Sequence, residues 1–445
     1  MKDNLLRNFS FQHNKRNVIN DFIYNEFKNN KNIKSLVKNK SNIIDKLIKK
    51  AWKNNNLNGE NICLVAVGGY GRAELFPFSD IDILILVEDY EDTNTLKNIE
   101  KFIADIWHFK TLVGHAVRTI QECSRAMNSD ITIYTGLLES RCICGSRKMY
   151  KELSRIIYKD SSWSNENFLK AKKVEQEQRY WKYSNTGYLL EPDIKEGPGG
   201  FRDFQTLMWI TKKYFKTNSL NDLYKLKIIS KEERLLLLRS YRFLSKARFF
   251  LHFINDKPEE RLFFSNQKKL AEFFGFSCET NKGVERFMQE FYKQITLIRQ
   301  LNEILIKHIE DIDNKNYLKS DFSKTKEEFI IKNNNIYVKN KEFFINDPTK
   351  IFEIFLLKDK KGDNYEISAD TIRHIRESLY LIDNNFRNKK KNREIFISIF
   401  YQKTGVTRCL RKMNDYGVLA AYLKPFSKVV GMMQFDLFHI YTVDE

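Results

Sequence analysis

The chain has 445 residues, of which 42% are apolar and 30% are charged. This balance excludes an intrinsically disordered protein, and the length allows roughly two to four domains with a sizeable core. No apolar run approaches the roughly 20 residues needed to span a bilayer, and the N-terminus lacks the apolar core of a signal peptide. We therefore expect a cytoplasmic protein without a membrane partner.

The chain is strongly basic, with 76 lysine and arginine residues against 57 acidic residues and a formal net charge of +19. Such an excess can indicate a nucleic-acid partner. Lysine and asparagine are spread along the whole chain, as in residues 28–32 and 389–392, and no aromatic-and-basic recognition motif accompanies them. This pattern indicates that the lysines lie on solvent-exposed surfaces, and we expect no nucleic-acid partner.

Cysteine and histidine spacing gives no sign of a structural metal site. The six cysteines form no Cys-x-x-Cys pair, and the seven histidines form no His-Glu-x-x-His motif. We expect free, mostly buried thiols in a reducing compartment. The cysteines are Cys63, Cys123, Cys142, Cys144, Cys278 and Cys409.

The first 60 residues are predicted to form a helical segment, because their apolar residues recur at helical spacing. These residues are Ile19, Phe22, Ile23 and Phe27, followed by Ile43, Ile44, Leu47 and Ile48.

An α/β domain is predicted over residues 61–147. Strands are expected at residues 62–67, 81–87 and 112–118, with a crossing helix over residues 96–109 between the second and the third. Strands joined through a helix imply a mixed sheet, a palm that helices then cover.

A glycine turn and two acids occupy residues 67–86 of this domain. Side chains two apart in a strand point the same way, so Asp80 and Asp82 converge on one spot. Ionised carboxylates crowded in an apolar strand repel each other unless a cation lies between them. Their hard oxygen atoms favour Mg²⁺, which usually bridges substrate phosphates. The pattern predicts metal-dependent nucleotidyl transfer.

The glycines before the acids fit the same chemistry. Gly68 and Gly69 let the backbone approach a triphosphate, Arg72 adds positive charge beside the turn, and Ser79 adds a hydroxyl next to the acids. A dinucleotide-binding loop is excluded, because Glu74 stands where the third glycine belongs and a second strand replaces the helix that would receive a pyrophosphate.

Residues 148–312 are predicted to be mostly helical, and a charged linker is predicted at residues 313–328. In the last segment, 329–445, residues 329–338 are expected to form a small hairpin around an asparagine-rich turn, with helices after it.

The glycine-rich loop 192–200 has two interpretations. It is either a sharp turn before a helix, or a place where backbone amides together with Lys195 and Arg202 meet phosphates or an incoming protein loop. Asp193 and Asp203 either serve a metal or cap the turn and the helix, and both roles stay open.

Three blocks of the sequence resemble the PII-protein uridylyltransferases, bacterial sensors of nitrogen status. The first block begins with residues 67–86. It also contains VGHAVRT at 113–119, which is similar to the family's next strand, and LESR at 138–141, which is similar to its following helix. The string EPDIKEGPGGFRDFQTL at 191–207 is the most family-specific. GVTR at 405–408 and the tail 433–445 resemble the lead-in to the family's second catalytic domain.

The resemblance implies an α+β fold: a polymerase-beta-like nucleotidyltransferase palm with a mixed sheet and helices, followed by a mostly helical domain. It implies Mg²⁺-dependent transfer of a uridylyl group from UTP to a tyrosine of the trimeric PII signalling protein, with release of pyrophosphate. The site residues implied are Asp80 and Asp82 for metal and catalysis, and Gly68, Gly69, Arg72, Ser79, Lys195 and Arg202 for the nucleotide.

Members of the family continue into an HD-type hydrolase domain, which removes uridylyl groups, and two glutamine-sensing ACT domains. We expect this chain to lack both of these activities, because its sequence stops at Glu445 and His439 alone cannot hold a metal. A half enzyme that only adds uridylyl groups is therefore expected. The alternatives are a nucleotidyltransferase of different base or protein specificity, and an inactive remnant that binds PII or nucleotide.

The superfamily's third carboxylate, a potential general base, has no clear position in the sequence. The strand at 112–119 offers no acid and carries His115 instead, for which a structural role is favoured. Asp130 and Glu139 are the possible substitutes.

Overall fold

The structure is a computed structural model that describes most of the chain. The described residues are 15–29, 32–108, 112–159, 163–217, 219–314, 328–362, 364–402, 404–435 and 439–444. The predicted helix end at Phe109, most of the predicted linker 313–328 and residues 436–438 of the tail lie outside them.

The N-terminal elements alternate between helices and short strands. In chain order they are α1 (Lys15–Lys28), α2 (Ile33–Asn54), β1 (Ile62–Ala66), α3 (Gly68–Gly71), β2 (Ile81–Val87), α4 (Thr93–Trp107), β3 (Val113–Arg118), α5 (Ile120–Ser129), α6 (Ile131–Leu138), β4 (Arg141–Gly145), α7 (Arg147–Tyr158) and α8 (Asn165–Trp181).

The later elements are mostly helical. They are α9 (Phe201–Phe215), α10 (Leu220–Lys225), α11 (Lys231–Asn255), α12 (Phe264–Phe273), α13 (Asn281–Asn314), β5 (Ile330–Lys332), β6 (Asn335–Tyr337), α14 (Glu342–Asn346), α15 (Lys350–Lys361), β7 (Glu366–Ile367), α16 (Ala369–Glu377), α17 (Asn384–Asn388), α18 (Lys390–Phe400), α19 (Val406–Asp415), α20 (Val418–Tyr422) and α21 (Lys424–Val429).

A four-stranded mixed sheet in the order β3-β2-β1-β4 confirms the predicted palm. The central strand β1 pairs antiparallel with β2 and with β4, while β2 pairs parallel with β3. The parallel pair requires a crossover, which α4 supplies. All five residues of β1 are buried, as its unbroken apolar sequence predicts.

The first three strands lie within one residue of their predicted positions. Within the predicted helical segment 1–60, α1 and α2 form the described part up to Asn54, while residues 1–14, 30 and 31 lie outside the described residues. The prediction of a helix at 138–141 is wrong: α6 ends at Leu138, and Arg141 already begins the fourth strand. Arg141–Gly145 is a short mixed sequence, and its pairing with the distant strand β1 across a register shift makes it a strand.

The predicted hairpin near residue 330 is confirmed as β5 and β6. Asn333 and Asn334 both have positive φ, 47° and 59°, which is the backbone of a two-residue type I′ turn. The two-residue strand β7 completes this small sheet by pairing parallel with β6. Such a short strand left no sequence signal.

The chain divides into two compact units. The first contains Met1–Glu175, Trp209–Asn218 and Arg242–Arg261, and includes the four-stranded sheet; the second contains the remainder of the chain. The segment boundaries predicted from the sequence stay a prediction. Among the helices that the structure describes, none is long and apolar enough to cross a membrane.

Candidate functional site

The two acids of the motif lie at the start of β2 in the first unit. Asp80 is exposed immediately before the strand, and Asp82 is half-buried as its second residue. The alternating residues Ile81 and Ile83 are both 2% exposed. This alternation places the two carboxylates on the face opposite the buried isoleucines, as their spacing predicts.

The glycine turn lies directly against the second acid. The amide of Val67 donates to the carbonyl of Asp82 over 3.1 Å, which joins the end of β1 to the start of β2. Gly68 has a φ of +56°, and a β-carbon there would come within 3.3 Å of Asp82 Oδ2. Glycine at 68 therefore serves both the backbone conformation and the space beside the carboxylate.

The first amides of the turn are available to a ligand. Within the described segments, the N–H groups of Gly68 and Gly69 donate to no protein acceptor, because α3 begins at Gly68. Ser79 lies half-buried beside Asp80, and its hydroxyl makes no hydrogen bond there either. Donors of this kind suit phosphate oxygens.

A second glycine, which no sequence pattern singles out, faces the same carboxylate. Gly114 of β3 lies directly opposite Asp82 in the strand register. A β-carbon at 114 would come within 2.5 Å of Asp82 Oδ1. The Asp82 carboxylate thus lies between two glycines, one from α3 and one from β3.

A buried tyrosine fixes the glycine turn to the helix α2. The hydroxyl of Tyr70 donates to Asp45 over 2.6 Å, and Arg141 of β4 binds the same carboxylate over 2.6 Å. Arg141 also donates to the carbonyl of Tyr70. Burial and the nearby Asp45 raise the pKa of Tyr70 well above its ordinary value, so the hydroxyl stays protonated and serves as a donor.

A buried lysine shapes the loop that leads to the acids. Lys40 of α2 is 4% exposed, and its ammonium group donates to the carbonyls of Phe76 and Pro77. The amide of Ser79 in turn donates to the carbonyl of Phe76. Nothing in the sequence around Lys40 marks it as different from the many exposed lysines of the chain.

Arg72 is held by protein carboxylates. Its guanidinium donates to Glu74 over 3.0 Å and to the buried Glu139 over 2.5 Å, and Glu139 also accepts from the indole of Trp209. Burial lowers the pKa of Arg72, but the two carboxylates outweigh it and raise that pKa above the ordinary value. Arg72 therefore joins the turn to the buried Glu139.

A second cation lies near this group. Lys212 follows Trp209 by three residues on α9, so both lie on one face of the helix. Its ammonium makes no hydrogen bond or ion pair among the described residues. Burial lowers the pKa of Lys212, Glu139 raises it and Arg72 lowers it, with a net lowering. Lys212 is thus a cation near Arg72 and Glu139 that no oxygen of the described residues holds.

The candidates for a third carboxylate are engaged elsewhere. Asp130 caps α6 by accepting from the amide of Thr132, and Glu139 is bound by Arg72 and Trp209. His115 lies opposite Ile83 in the register, hence on the other face of the sheet from Asp82, and its ring contacts Trp107. In the described part of the chain no group of three potential metal ligands occurs.

The loop 192–200 belongs to the second unit, and most of its amides donate within the chain. Asp193 accepts from the amides of Lys195 and Glu196, and Asp203 accepts from that of Gly199. The amides of residues 197, 200, 201 and 202 donate to carbonyls within the same loop. These contacts argue against phosphate binding by the amides of residues 195–202, and the nucleotide contacts of Lys195 and Arg202 stay a prediction.

The two loop aspartates act as structural caps. Asp203 is fully buried and accepts from Gln176, Arg179 and Tyr180 in addition to the loop amide. The neighbouring Gly199, with a φ of +80°, packs so closely that a β-carbon would clash with the carbonyl of Ile295. These contacts support the interpretation as a sharp turn before α9.

The loop cations differ from each other. Arg202 is held by Glu196 over 2.8 Å and by Gln205 over 3.0 Å. Lys195 is half-buried, and its ammonium makes no hydrogen bond or ion pair within the ranges that the structure describes. Of the predicted site residues, the first unit holds Gly68, Gly69, Arg72, Ser79, Asp80 and Asp82, and the second holds Lys195 and Arg202.

Comparison with known proteins gives three consecutive family matches. Residues 45–133 match a nucleotidyltransferase domain, residues 167–306 match the GlnD PII-uridylyltransferase family, and residues 329–422 match the third domain of uridylyltransferase GlnD. The first match contains the glycine turn and both acids.

Curated relatives agree with these matches. The chain is 37% identical over 420 residues to a bifunctional uridylyltransferase/uridylyl-removing enzyme of Pseudomonas fluorescens, covering 94% of this chain and 47% of that protein. It is 38% identical over 445 residues to one of Hydrogenovibrio crunogenus, covering 97% of this chain and 49% of the relative. The chain spans about half the length of the curated relatives it matches.

Proposed function

We propose that this chain, which belongs to the GlnD PII-uridylyltransferase family, transfers a uridylyl group from UTP to a tyrosine of a PII-type protein and releases pyrophosphate. One observation carries the proposal: Asp80 and Asp82 share a face of β2 beside a glycine turn whose first two N–H groups donate to no acceptor among the described residues. The matched nucleotidyltransferase domain supports the reaction class, and the family supports UTP and PII as substrates.

The donor set at this site fits Mg²⁺. Two carboxylates on one face supply hard oxygen ligands and leave the other positions to water and substrate phosphates, which is how proteins commonly hold this ion. Gly68 and Gly114 leave space on both sides of the Asp82 carboxylate. Bound Mg²⁺ would offset the negative charge on the reacting phosphates.

The residues of the chain then have separate tasks. The amides of Gly68 and Gly69 bind phosphate oxygens, and the Ser79 hydroxyl adds a donor next to Asp80. Asp80 and Asp82 would hold the Mg²⁺, whose charge would offset the repulsion between these carboxylates and the α-phosphate that the acceptor hydroxyl attacks as pyrophosphate departs. Tyr70, held by Asp45 and Arg141, keeps the turn in place during the reaction.

Lys212 is proposed as the cation that contacts the triphosphate. It lies near Arg72 and Glu139, and its ammonium binds no oxygen of the described residues, whereas Arg72 is bound to two carboxylates. Arg72 is proposed to support nucleotide binding indirectly, by holding the glycine turn in position. Lys195 and Arg202 stay proposed nucleotide contacts, with Lys195 favoured because its ammonium has no protein partner in the described chain.

The test is incubation of the purified chain with PII, Mg²⁺ and UTP labelled at the α-phosphate. We expect label on PII, and a loss of at least about 100-fold in the Asp80→Asn plus Asp82→Asn variant. Glu88→Gln is the matched control, since Glu88 is an exposed acid just beyond the other end of β2. Transfer that persists unchanged in the double variant contradicts the assignment.

Base specificity is a separate question. The groups gathered at the glycine turn are amides and carboxylates, which bind phosphates and metal and do not distinguish uracil from adenine. A nucleotidyltransferase of different base specificity therefore stays the second candidate. Competition of unlabelled ATP against labelled UTP separates the two, and UTP binding without pyrophosphate release identifies an inactive remnant.

A further inference from the structure

Two cysteines of the sheet in the first unit lie close enough to react with each other. Cys63 belongs to β1 and Cys142 to β4, and their Sγ atoms are 3.8 Å apart. The register shift between Leu64 and Val65 sets Cys142 opposite Val65, two residues from Cys63 and thus on the same side of β1. A disulfide needs about 2.05 Å between sulfur atoms, so the two side chains have to turn towards each other for the bond to form.

The two thiols differ in exposure and in charge environment. Cys63 is fully buried, whereas Cys142 is half-buried. The hydrogen bond from Cys63, assisted by the nearby cations Arg147, Lys49 and Arg141, lowers the pKa of Cys142 to about 7. Burial raises the pKa of the neighbouring Cys144 to about 12. Cys142 is therefore the thiol with the most thiolate character near neutral pH.

We propose that Cys142 and Cys63 form an oxidisable pair that hydrogen peroxide converts into a disulfide between β4 and β1. The Cys142 thiolate attacks one oxygen of the peroxide, forming cysteine sulfenic acid and releasing hydroxide. The Cys63 thiol then attacks the sulfenic sulfur, so the S–S bond forms while the S–O bond breaks and water leaves. Two thiols lose two electrons in total, and the peroxide gains them.

This pair lies next to residues that support the proposed site. Arg141, which precedes Cys142, binds Asp45 and the carbonyl of Tyr70 in the glycine turn. A bond between β4 and β1 thus forms beside the contacts that fix the turn. The oxidation itself does not depend on the proposed transfer reaction, so the two are tested separately.

The experiment uses the reduced full chain and a small molar excess of hydrogen peroxide. We expect the intact mass to fall by two hydrogens, digestion to yield a Cys63–Cys142 linked peptide, and dithiothreitol to restore both thiols. In Cys63→Ser we expect a sulfenic acid at Cys142 that a dimedone probe traps. Cys123→Ser, a buried cysteine without a nearby thiol partner, is the control and should form the linked peptide as wild type does.

The wild-type peptide map decides the outcome even if a variant fails to fold. Linkage through Cys144 in place of Cys142 overturns the assignment. So does a chain whose Cys142 oxidises without forming the bond to Cys63. Persistence of both free thiols, under conditions in which a small thiol of similar pKa oxidises fully, also overturns it.

Discussion

Gly114 and Asp82 face each other across the parallel strands β3 and β2, and a β-carbon at 114 would come within 2.5 Å of the Asp82 carboxylate. The clash falls on the end of the Asp82 side chain and not on backbone, so an added methyl group forces the carboxylate to turn away. Gly114→Ala is therefore expected to misplace Asp82 without unfolding the chain. Label transfer to PII should fall at least about tenfold, with the free energy of unfolding changed by less than about 1 kcal/mol.

The control for this substitution is Gly136→Ala in α6. A β-carbon at 136 would meet nothing within 4 Å, and alanine favours helix over glycine. This variant should keep full transfer activity and unfold at an equal or higher denaturant concentration. Equal activity of the two variants would argue against a role for the space beside Asp82.

The pattern of successful predictions follows the range of the interactions. Strand β2 was predicted because an apolar run and a period of two are local properties, and the same period placed Asp80 and Asp82 on one face. Gly114 was not predicted as a site residue because its role depends on the neighbouring strand β2. Lys40 was not predicted because its role depends on a loop 36 residues away in the sequence. Strand β4 was not predicted because its own sequence has no periodic pattern. Its pairing with β1 is what makes it a strand.

Lys40 should matter for stability and for transfer, although it lies far from the acids in sequence. Lys40→Met removes the ammonium that binds the carbonyls of Phe76 and Pro77, leaving buried acceptors without that donor. We expect a loss of roughly 1–3 kcal/mol in the free energy of unfolding, together with a lower transfer rate. Chemical denaturation and the label assay measure the two effects. Lys38→Met, an exposed residue of the same helix, should change neither.

Lys212 and Arg72 are predicted to have different roles. Lys212→Ala should raise the KM for UTP about tenfold with unchanged unfolding, because it removes a charge-assisted contact to phosphate. Arg72→Ala should instead destabilise the chain by about 3 kcal/mol, since it leaves the buried Glu139 without its cation. Steady-state kinetics and denaturation of both variants, with the exposed Lys148→Ala as control, separate the roles. An unchanged KM in Lys212→Ala contradicts the proposed phosphate contact.

Asp203 is predicted to be structural. Its buried carboxylate accepts from Arg179, Tyr180 and Gln176, so Asp203→Asn leaves the buried Arg179 without its counter-charge. We expect a loss of roughly 3–5 kcal/mol in the free energy of unfolding. Asp222→Asn, at an exposed ion pair, should cost under about 1 kcal/mol. If Asp203→Asn folds normally but requires more Mg²⁺ for transfer, the carboxylate serves the metal after all.

The buried His252 predicts a loss of stability in mild acid. Burial lowers the pKa of His252 to about 4, and Arg248 and Lys40 oppose its charging, while Glu260 at 3.5 Å partly favours it. In the unfolded chain His252 binds this proton near pH 6.5. The contribution of the neutral, buried ring to the free energy of unfolding is therefore complete above pH 6.5 and is lost as the pH falls towards 4. Between pH 7 and pH 5 the linkage amounts to about 2 kcal/mol.

Substitution of His252 separates this contribution from that of the neighbouring carboxylate. Arg248 holds the pKa of Glu260 at about 2 against its burial, so the stabilisation from Glu260 is lost only below its ordinary pKa of 4.5. His252→Gln should therefore lose about 2 kcal/mol less than wild type between pH 7 and pH 5, as measured by urea unfolding at each pH. The ring of His252 packs against Phe76 in the loop before the acids. Transfer activity should therefore decline as the pH is lowered, with the same midpoint pH as the loss of stability. Parallel pH curves for wild type and His252→Gln would show that another group carries the acid sensitivity.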